Sequence, residues 1–319
     1  MKKKVLYILP IHESGMNRLR ENFEVIVSKD AEKETVMALI PDVHAIITRL
    51  CVIDADIINA GKNLKAIAKH GVGVDNIDVK TATDQGIVVL TTGDVNSLTV
   101  AEHVVFALGA MAKRISYFDR QMHENNWKSR EPEGSTDLYG KTLGIIGYGK
   151  IGTYVAAMAR NGFGMKLIVY ARYPHKREIE EKGYIYTNDL DWLCQEADAI
   201  SIHVPLSEET QDLFDERRLS LMKPTSYLIN FARGGIVNEK ALYDALSNKK
   251  IMGAALDVFE KEPPEEDSPL LKLDNVLLSP HVAYATADAR MRMSMQVAEG
   301  IEDVLNGRIP KFAANKNLF

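Results

Sequence analysis

The chain has 319 residues, enough for two domains of ordinary size, and its 46% hydrophobic and 26% charged content is that of a globular fold in water. A formal net charge of −5 argues against a nucleic-acid binder, which would show a basic face. The two cysteines, Cys51 and Cys194, lie far apart in apolar surroundings, which argues against a disulfide framework or a cysteine-based metal site.

The N-terminal lysines are followed by Val5-Leu6-Tyr7-Ile8-Leu9, the order found in a signal peptide. The run stops at Pro10, however, and His12-Glu13 follow with no small-residue cleavage site. A first buried strand is the better reading. No apolar stretch approaches the length of a membrane span. A cytoplasmic protein with neither membrane nor nucleic acid as partner is expected.

Short apolar runs at 5–9, 24–27, 45–48, 64–68 and 87–90 read as strands, with helical segments between them such as 31–39 and 78–85. Such alternation implies a parallel sheet with helices on both faces. This first unit ends near Thr92. A long helix is expected from Ser97 to about Met122, with Val100, Val104, Leu108 and Met111 on its apolar face. The Glu-, Ser-, Gly- and Pro-containing stretch 129–136 reads as a connector.

Leu143-Gly144-Ile145-Ile146 then runs into Gly147-Tyr148-Gly149-Lys150-Ile151-Gly152, the pattern G-x-G-x-x-G, and a helix-like segment over 151–160. Strand, tight turn and helix start follow in order. The glycines let the backbone approach a pyrophosphate, and the unpaired N–H groups of the new helix favour its charge. Alone, the motif leaves a merely Gly-rich strand-to-helix turn equally open. Further strands at 167–170, 199–204, 226–230, 251–256 and 276–278 alternate with helices such as 190–196 and 239–247. After Pro280 an amphipathic helix is expected over about 286–306, and the tail 308–319 is too short for a further domain. The expected fold is α/β, with two doubly wound parallel-sheet (Rossmann-like) domains and a cleft between them. Residues 1–96 and 287–319 form the first, flavodoxin-like and substrate-binding, and 97–286 the dinucleotide-binding domain.

Three segments fall where strands of the second unit end: Asn230-Phe231-Ala232-Arg233-Gly234-Gly235, Asp257 through Pro263, and Ser279-Pro280-His281-Val282. Ligands of open parallel sheets bind outside the carboxyl ends of strands. An Arg, a Glu and a His are thus expected on the edge that carries the glycine turn.

Their order resembles the D-isomer-specific 2-hydroxyacid dehydrogenases. The likeness extends through His70-Gly71-Val72-Gly73-Val74-Asp75-Asn76-Ile77-Asp78, Asn96-Ser97-Leu98-Thr99-Val100-Ala101-Glu102-His103, the glycine motif and His203-Val204-Pro205-Leu206. It implies hydride transfer between a nicotinamide and a small 2-keto or D-2-hydroxy acid. Arg233 matches the residue that forks onto the substrate's carboxylate or keto oxygen. His281 matches the proton donor and acceptor. Glu262, by its offset from Asp257, matches the carboxylate that orients the imidazole; Glu260 does not.

The same resemblance implies cofactor contacts from Gly147, Gly149, Lys150, Ile151 and Gly152 at the turn, and from Ala171 and Arg172 after the second strand. It adds Val204, Pro205 and Thr210 in one loop, Phe231 and Ala232 in another, and His281. Thr99 is either a cofactor contact or a helix cap. Asp257 meets the nicotinamide end or caps its strand, and His203 lies against the cofactor or is only packed. Backbone N–H groups at Val72 and Gly73 are expected to hold the substrate carboxylate, together with Arg233 and His281. Arg49 and Lys69 either read a phosphate or second acid group or are solvated surface charges.

An Asp or Glu about 20 residues past the glycines takes the ribose hydroxyls in NAD enzymes. Here that position is Ala171, followed by Arg172, and further charge comes from His175, Lys176 and Arg177. NADP(H) is therefore expected over NAD(H), with no metal. A glyoxylate/hydroxypyruvate reductase-like enzyme is the leading reading and a phosphoglycerate dehydrogenase-like enzyme the second; the absence of a regulatory domain after the last helix weighs against the latter. A nucleotide-sensing corepressor-type protein is the alternative of another class, disfavoured by the lack of a long disordered tail. Formate dehydrogenases carry Gln where Glu262 stands; phosphite dehydrogenase shares the triad. The family implies a homodimer formed through the nucleotide domain.

Overall fold

The computed structural model describes residues 2–130, 134–171 and 175–319. The chain divides into two compact units, Met1–Asn96 with Ala285–Phe319, and Ser97–Tyr284.

In the first unit, β1 (Lys4–Tyr7), α1 (Glu13–Asn22), β2 (Glu24–Val27), α2 (Lys33–Leu39), β3 (Ala45–Thr48), α3 (Ala55–Ala60), β4 (Ala66–Lys69), α4 (Val79–Asp84) and β5 (Val88–Leu90) alternate. The five strands are parallel in the order β2-β1-β3-β4-β5. Thr48 stands opposite Lys69, and Ala68 opposite Leu90, so β3, β4 and β5 end on one edge. Helix starts follow side-chain chemistry: the Asp54 carboxylate accepts the Ile57 N–H at 3.1 Å, and Asp78 accepts that of Thr81 at 2.9 Å. Strands β1, β3, β4 and β5 are buried on both faces, which is why they read as continuous apolar runs, whereas edge strand β2 is partly exposed.

The second unit opens with α5 (Ser97–Ala112) and α6 (Ile115–His123). A single long helix was the expectation; the chain instead breaks at Arg114, in a left-handed conformation with φ of 52°. The reason is burial. Helix α5 buries Val100, Val104 and Leu108, whereas α6 buries nothing, so no continuous core face pulls the two into line. The Arg114 guanidinium folds back over the Tyr117 ring, 4.0 Å from its centre.

Next come β6 (Thr142–Ile146), α7 (Lys150–Phe163), β7 (Lys166–Tyr170), α8 (Lys176–Glu181), β8 (Ile185–Thr187), α9 (Leu190–Glu196) and β9 (Ala199–Ile202). They are followed by α10 (Glu216–Leu221), β10 (Tyr227–Asn230), α11 (Glu239–Ser247), β11 (Gly253–Leu256) and β12 (Val276–Leu278). All seven strands are parallel, ordered β12-β11-β10-β9-β6-β7-β8. Strand β8, not expected, is a three-residue edge strand with Ile185 exposed, too short to show a period. The strand order reverses at β6, between β7 and β9. This is the switch point at which open α/β sheets bind ligands.

The chain re-enters the first unit as α12 (Ala287–Leu305), capped by Thr286. Its tail turns antiparallel to β5: Ala313 bridges Leu90, and the buried Asn315 amide accepts the Val89 N–H and donates to the Ile87 carbonyl, both at 2.9 Å. The tail thereby covers an edge that would otherwise expose unpaired backbone groups. Among the described residues no helix is long and apolar enough to cross a membrane.

Candidate active site

The glycine turn forms because β6 must reverse into α7 within three residues. Gly147 sits at φ +95°, and a Cβ there would lie 2.7 Å from the His203 carbonyl oxygen. A Cβ at Gly152 would lie 2.2 Å from the Gly147 carbonyl. The turn thus closes only on glycine. Gly149 has a different role: a Cβ there would meet nothing within 4 Å, and α7 starts with no side-chain cap. Open space above an uncapped helix start fits the pyrophosphate of a dinucleotide. Lys150 and Ile151 open α7 at this point. Ala171, at the end of β7, is buried and supplies no carboxylate for ribose hydroxyls. Arg172 lies outside the described residues.

On the other side of the switch point, the loop after β9 contains His203, Val204, Pro205 and Thr210. The Thr210 hydroxyl donates to the Pro205 carbonyl at 2.7 Å and accepts the Ser207 N–H at 2.8 Å, which sets the loop's shape. Burial pushes the His203 imidazole down to about 3, so it stays neutral, and its Nε2 is enclosed without a protein partner. Thr99 is buried in the first turn of α5.

At the end of β10 the Asn230 side chain braces the loop that carries Arg233. Its amide donates to the Arg233 carbonyl at 2.8 Å, and its oxygen accepts the Ala232 N–H at 3.1 Å. The buried Phe231 ring meets that of His103 from α5, centres 5.1 Å apart. Gly234 packs where a Cβ would lie 1.8 Å from the Phe259 carbonyl, so the Arg233 loop and the loop after β11 touch backbone to backbone. Only glycine allows that approach.

The loop after β11 contains both candidate carboxylates, and the structure separates them. Glu260 faces α11: it accepts the Glu239 N–H at 2.8 Å, while Glu239 accepts the Glu260 N–H at 2.6 Å. Glu262 turns the other way, with Oε1 accepting the Phe259 N–H at 3.2 Å and Oε2 lying 2.7 Å from His281 Nδ1. Its peptide bond to Pro263 is cis.

His281 is itself in the left-handed region, φ 52°, which costs a non-glycine residue roughly 1 kcal/mol or more. Asp257 offsets that cost. It is 1% exposed, and both carboxylate oxygens are engaged around His281: Oδ1 with the Ser279 hydroxyl at 2.5 Å and the Val282 N–H at 2.8 Å, Oδ2 with the Ala283 N–H at 2.8 Å. The carboxylate thus holds the turn open with the imidazole half exposed. Tyr284 stands edge-on to the ring, centres 6.2 Å apart. Ser279 stood in the quoted strand-end segment without a role, because its partner Asp257 is 22 residues away, and Tyr284 carries no motif.

In the first unit Val72 and Gly73 lie in the turn after β4, with Val72 exposed. Lys69 is directed inward, its ammonium donating to the Arg49 carbonyl at 2.6 Å and to the Asn76 side chain at 2.5 Å. Next to it His70 is 4% exposed, and burial, aided by the cationic Arg49 and Arg290, pushes its imidazole down to about 4. The unfolded imidazole titrates near 6.5, so between about pH 6.5 and 4 the unfolded chain binds the extra proton and stability falls as pH is lowered, by up to about 3 kcal/mol. Above that window the contribution is complete. Urea unfolding of the wild type and His70→Gln at pH 7 and pH 5 should give a smaller loss in the variant; equal losses would remove this assignment.

The fold and this site define a Rossmann-type dinucleotide-binding protein with a histidine–carboxylate pair on the cofactor edge of its sheet. Residues 105–283 match the model of the D-isomer specific 2-hydroxyacid dehydrogenase NAD binding domain. A glyoxylate reductase of Korarchaeum cryptofilum is 40% identical, with 100% of this chain and 97% of the relative covered. A D-3-phosphoglycerate dehydrogenase of Methanocaldococcus jannaschii is also 40% identical, over 98% of this chain but only 59% of the relative. The chain thus spans about three-fifths of that relative's length. The crystal structure of an NADPH-dependent glyoxylate/hydroxypyruvate reductase from Sinorhizobium meliloti, in complex with NADP and malonate, superposes with a TM-score of 0.89 at 30% identity, covering 100% of this chain and 98% of the other. The chain belongs to the D-isomer specific 2-hydroxyacid dehydrogenase family.

Proposed function

We propose that the protein is an NADPH-dependent reductase of small 2-keto acids of the glyoxylate and hydroxypyruvate class, working also in reverse on the D-2-hydroxy acids. The observation that carries this is the 2.7 Å contact between Glu262 and His281 Nδ1. A carboxylate on Nδ1 leaves Nε2 as the nitrogen that exchanges a proton with substrate, and it stabilises the imidazolium. When bound, the nicotinamide supplies or accepts the hydride. His281 gives its proton to the keto oxygen as that oxygen gains negative charge. Arg233 forks onto the substrate's oxygens and withstands deprotonation. Phe231, Ala232, Val204 and Pro205 provide backbone against the cofactor.

Preference for NADP(H) over NAD(H) rests on Ala171 standing where a ribose-binding acid would repel a 2′-phosphate. A phosphoglycerate-type substrate is the second reading; Arg49, just after β3, is its remaining support, since the Lys69 ammonium is engaged by the Arg49 carbonyl and Asn76. A homodimer is supported by the 73% exposure of Phe106 on α5 and by exposed Tyr154 on α7. Two free thiols suit the cytoplasm.

Steady-state kinetics on glyoxylate, hydroxypyruvate, 3-phosphohydroxypyruvate, pyruvate and bulkier keto acids, each with NADPH and NADH, tests these readings. The unphosphorylated two- and three-carbon acids with NADPH should give the highest kcat/KM. A clear preference for NADH would overturn the cofactor choice, and a preference for the phosphorylated acid would overturn the substrate class. Nucleotide binding without turnover on any acid would make the chain a sensor.

A further inference from the structure

We propose that a side-chain cluster of Tyr148, His175, Glu178 and Lys182 tunes which dinucleotide the second unit selects. Lys182 and His175 favour a cofactor with a phosphate on its adenosine ribose, and Glu178 holds that preference in check. This rests on the reading above that the unit binds a nicotinamide dinucleotide.

Tyr148 is the second residue of the glycine motif, and it is 5% exposed. Its ring is packed in one apolar cluster with Ala171 and with Ile179 of α8. The glycine turn and the end of β7 are the two places where a Rossmann unit meets the adenosine half of its cofactor. Tyr148 joins both to α8. The His175 ring stands edge-on to it at 6.1 Å between centres, and the Lys182 ammonium donates to its hydroxyl at 3.1 Å. Both basic residues turn toward one anion: Lys182 Nζ lies 2.7 Å from Glu178 Oε1, and His175 Nδ1 lies 3.6 Å from Oε2.

The result is a small charged assembly fixed to the cofactor turn, with its anion shared between two basic groups. Its charges are partly exposed, with the Lys182 side chain at 40% and that of Glu178 at 51%. Water screens them, so their action on a nearby phosphate is graded rather than decisive. Removing the lysine charge and removing the glutamate charge must act in opposite directions. A merely structural role, in which either loss loosens α8, would move both variants the same way.

The test measures the ratio of kcat/KM for NADPH to that for NADH in the wild type, Lys182→Gln and Glu178→Gln. Lys240→Gln, which removes a charge of the same sign from an ion pair with Asp244 on α11, serves as control. Lys182→Gln should lower the ratio and Glu178→Gln raise it, each by about twofold to fivefold, the scale of one partly exposed charge. Raised salt should shrink both shifts. Shifts in the same direction, no shifts, shifts insensitive to salt, or an equal shift in Lys240→Gln would overturn the proposal. A wild type that prefers NADH would instead overturn the cofactor choice proposed above, while the opposed shifts would still decide the role of this cluster.

Discussion

His281→Ala is expected to lower kcat for keto-acid reduction by about 10²–10⁴-fold, the range for loss of a positioned general acid–base group. The imidazole is half exposed, its Nδ1 is 2.7 Å from Glu262, and its backbone is held in a left-handed turn by Asp257. No other group in that loop offers a proton with the same orientation: the Ser279 hydroxyl is committed to Asp257. The side chain adds little to the core, and the turn is held by Asp257 through backbone N–H groups that the substitution leaves in place, so the variant should stay folded. Cofactor binding, followed by nicotinamide fluorescence, should change far less than kcat. Near-normal turnover in a folded variant would remove His281 from the proton path and with it the meaning of the Glu262 contact.

Arg233→Lys should lower kcat/KM by about 10²–10³-fold, the scale seen when one preorganised donor to a developing oxyanion is lost. Charge is kept, so the loss isolates geometry. The guanidinium is a planar fork that meets two oxygens at once, and an ammonium is a point charge on a flexible stem. Its backbone is held by the Asn230 side chain and by the backbone contact at Gly234, so the loop cannot advance to let a shorter lysine reach the same place. Single-turnover rates with saturating cofactor, beside thermal unfolding of the same variant, separate chemistry from folding. Retention of more than a tenth of wild-type kcat/KM would show that charge alone suffices at this position.

Much of the architecture is legible without coordinates because the forces behind it are local. Strands buried on both faces appear as apolar runs, and two helices, 190–196 and 239–247, match from end to end. The last helix is bounded by Thr286, whose hydroxyl accepts the Ala289 N–H. The misses also have a physical pattern. The break at Arg114 escapes because α6 keeps apolar residues such as Ile115 and Met122 that periodicity counts as core, yet they stay exposed. Strand β8 escapes because three residues on a sheet edge carry no readable period.

The same division runs through the site. The amino-acid sequence by itself determines the local part of the glycine turn, since the positive φ of Gly147 and the close approach of Gly152 to the Gly147 carbonyl act within six residues, whereas the approach of Gly147 to the His203 carbonyl is set by the fold. It also determines that Ala171 leaves the ribose position without a carboxylate, because residue identity there needs no coordinates. The resemblance already favours Glu262 over Glu260 by its offset from Asp257, but only the tertiary structure supplies the physical reason. Glu260 and Glu262 are two residues apart with the same chemistry, and the choice depends on α11 engaging one through Glu239 while the backbone turn aims the other across 19 residues of sequence. Only the tertiary structure, likewise, commits Asp257 to the turn around His281, 22 or more residues away. Such contacts join the ends of neighbouring parallel strands, and their partners are set by sheet order and register rather than by any spacing along the chain.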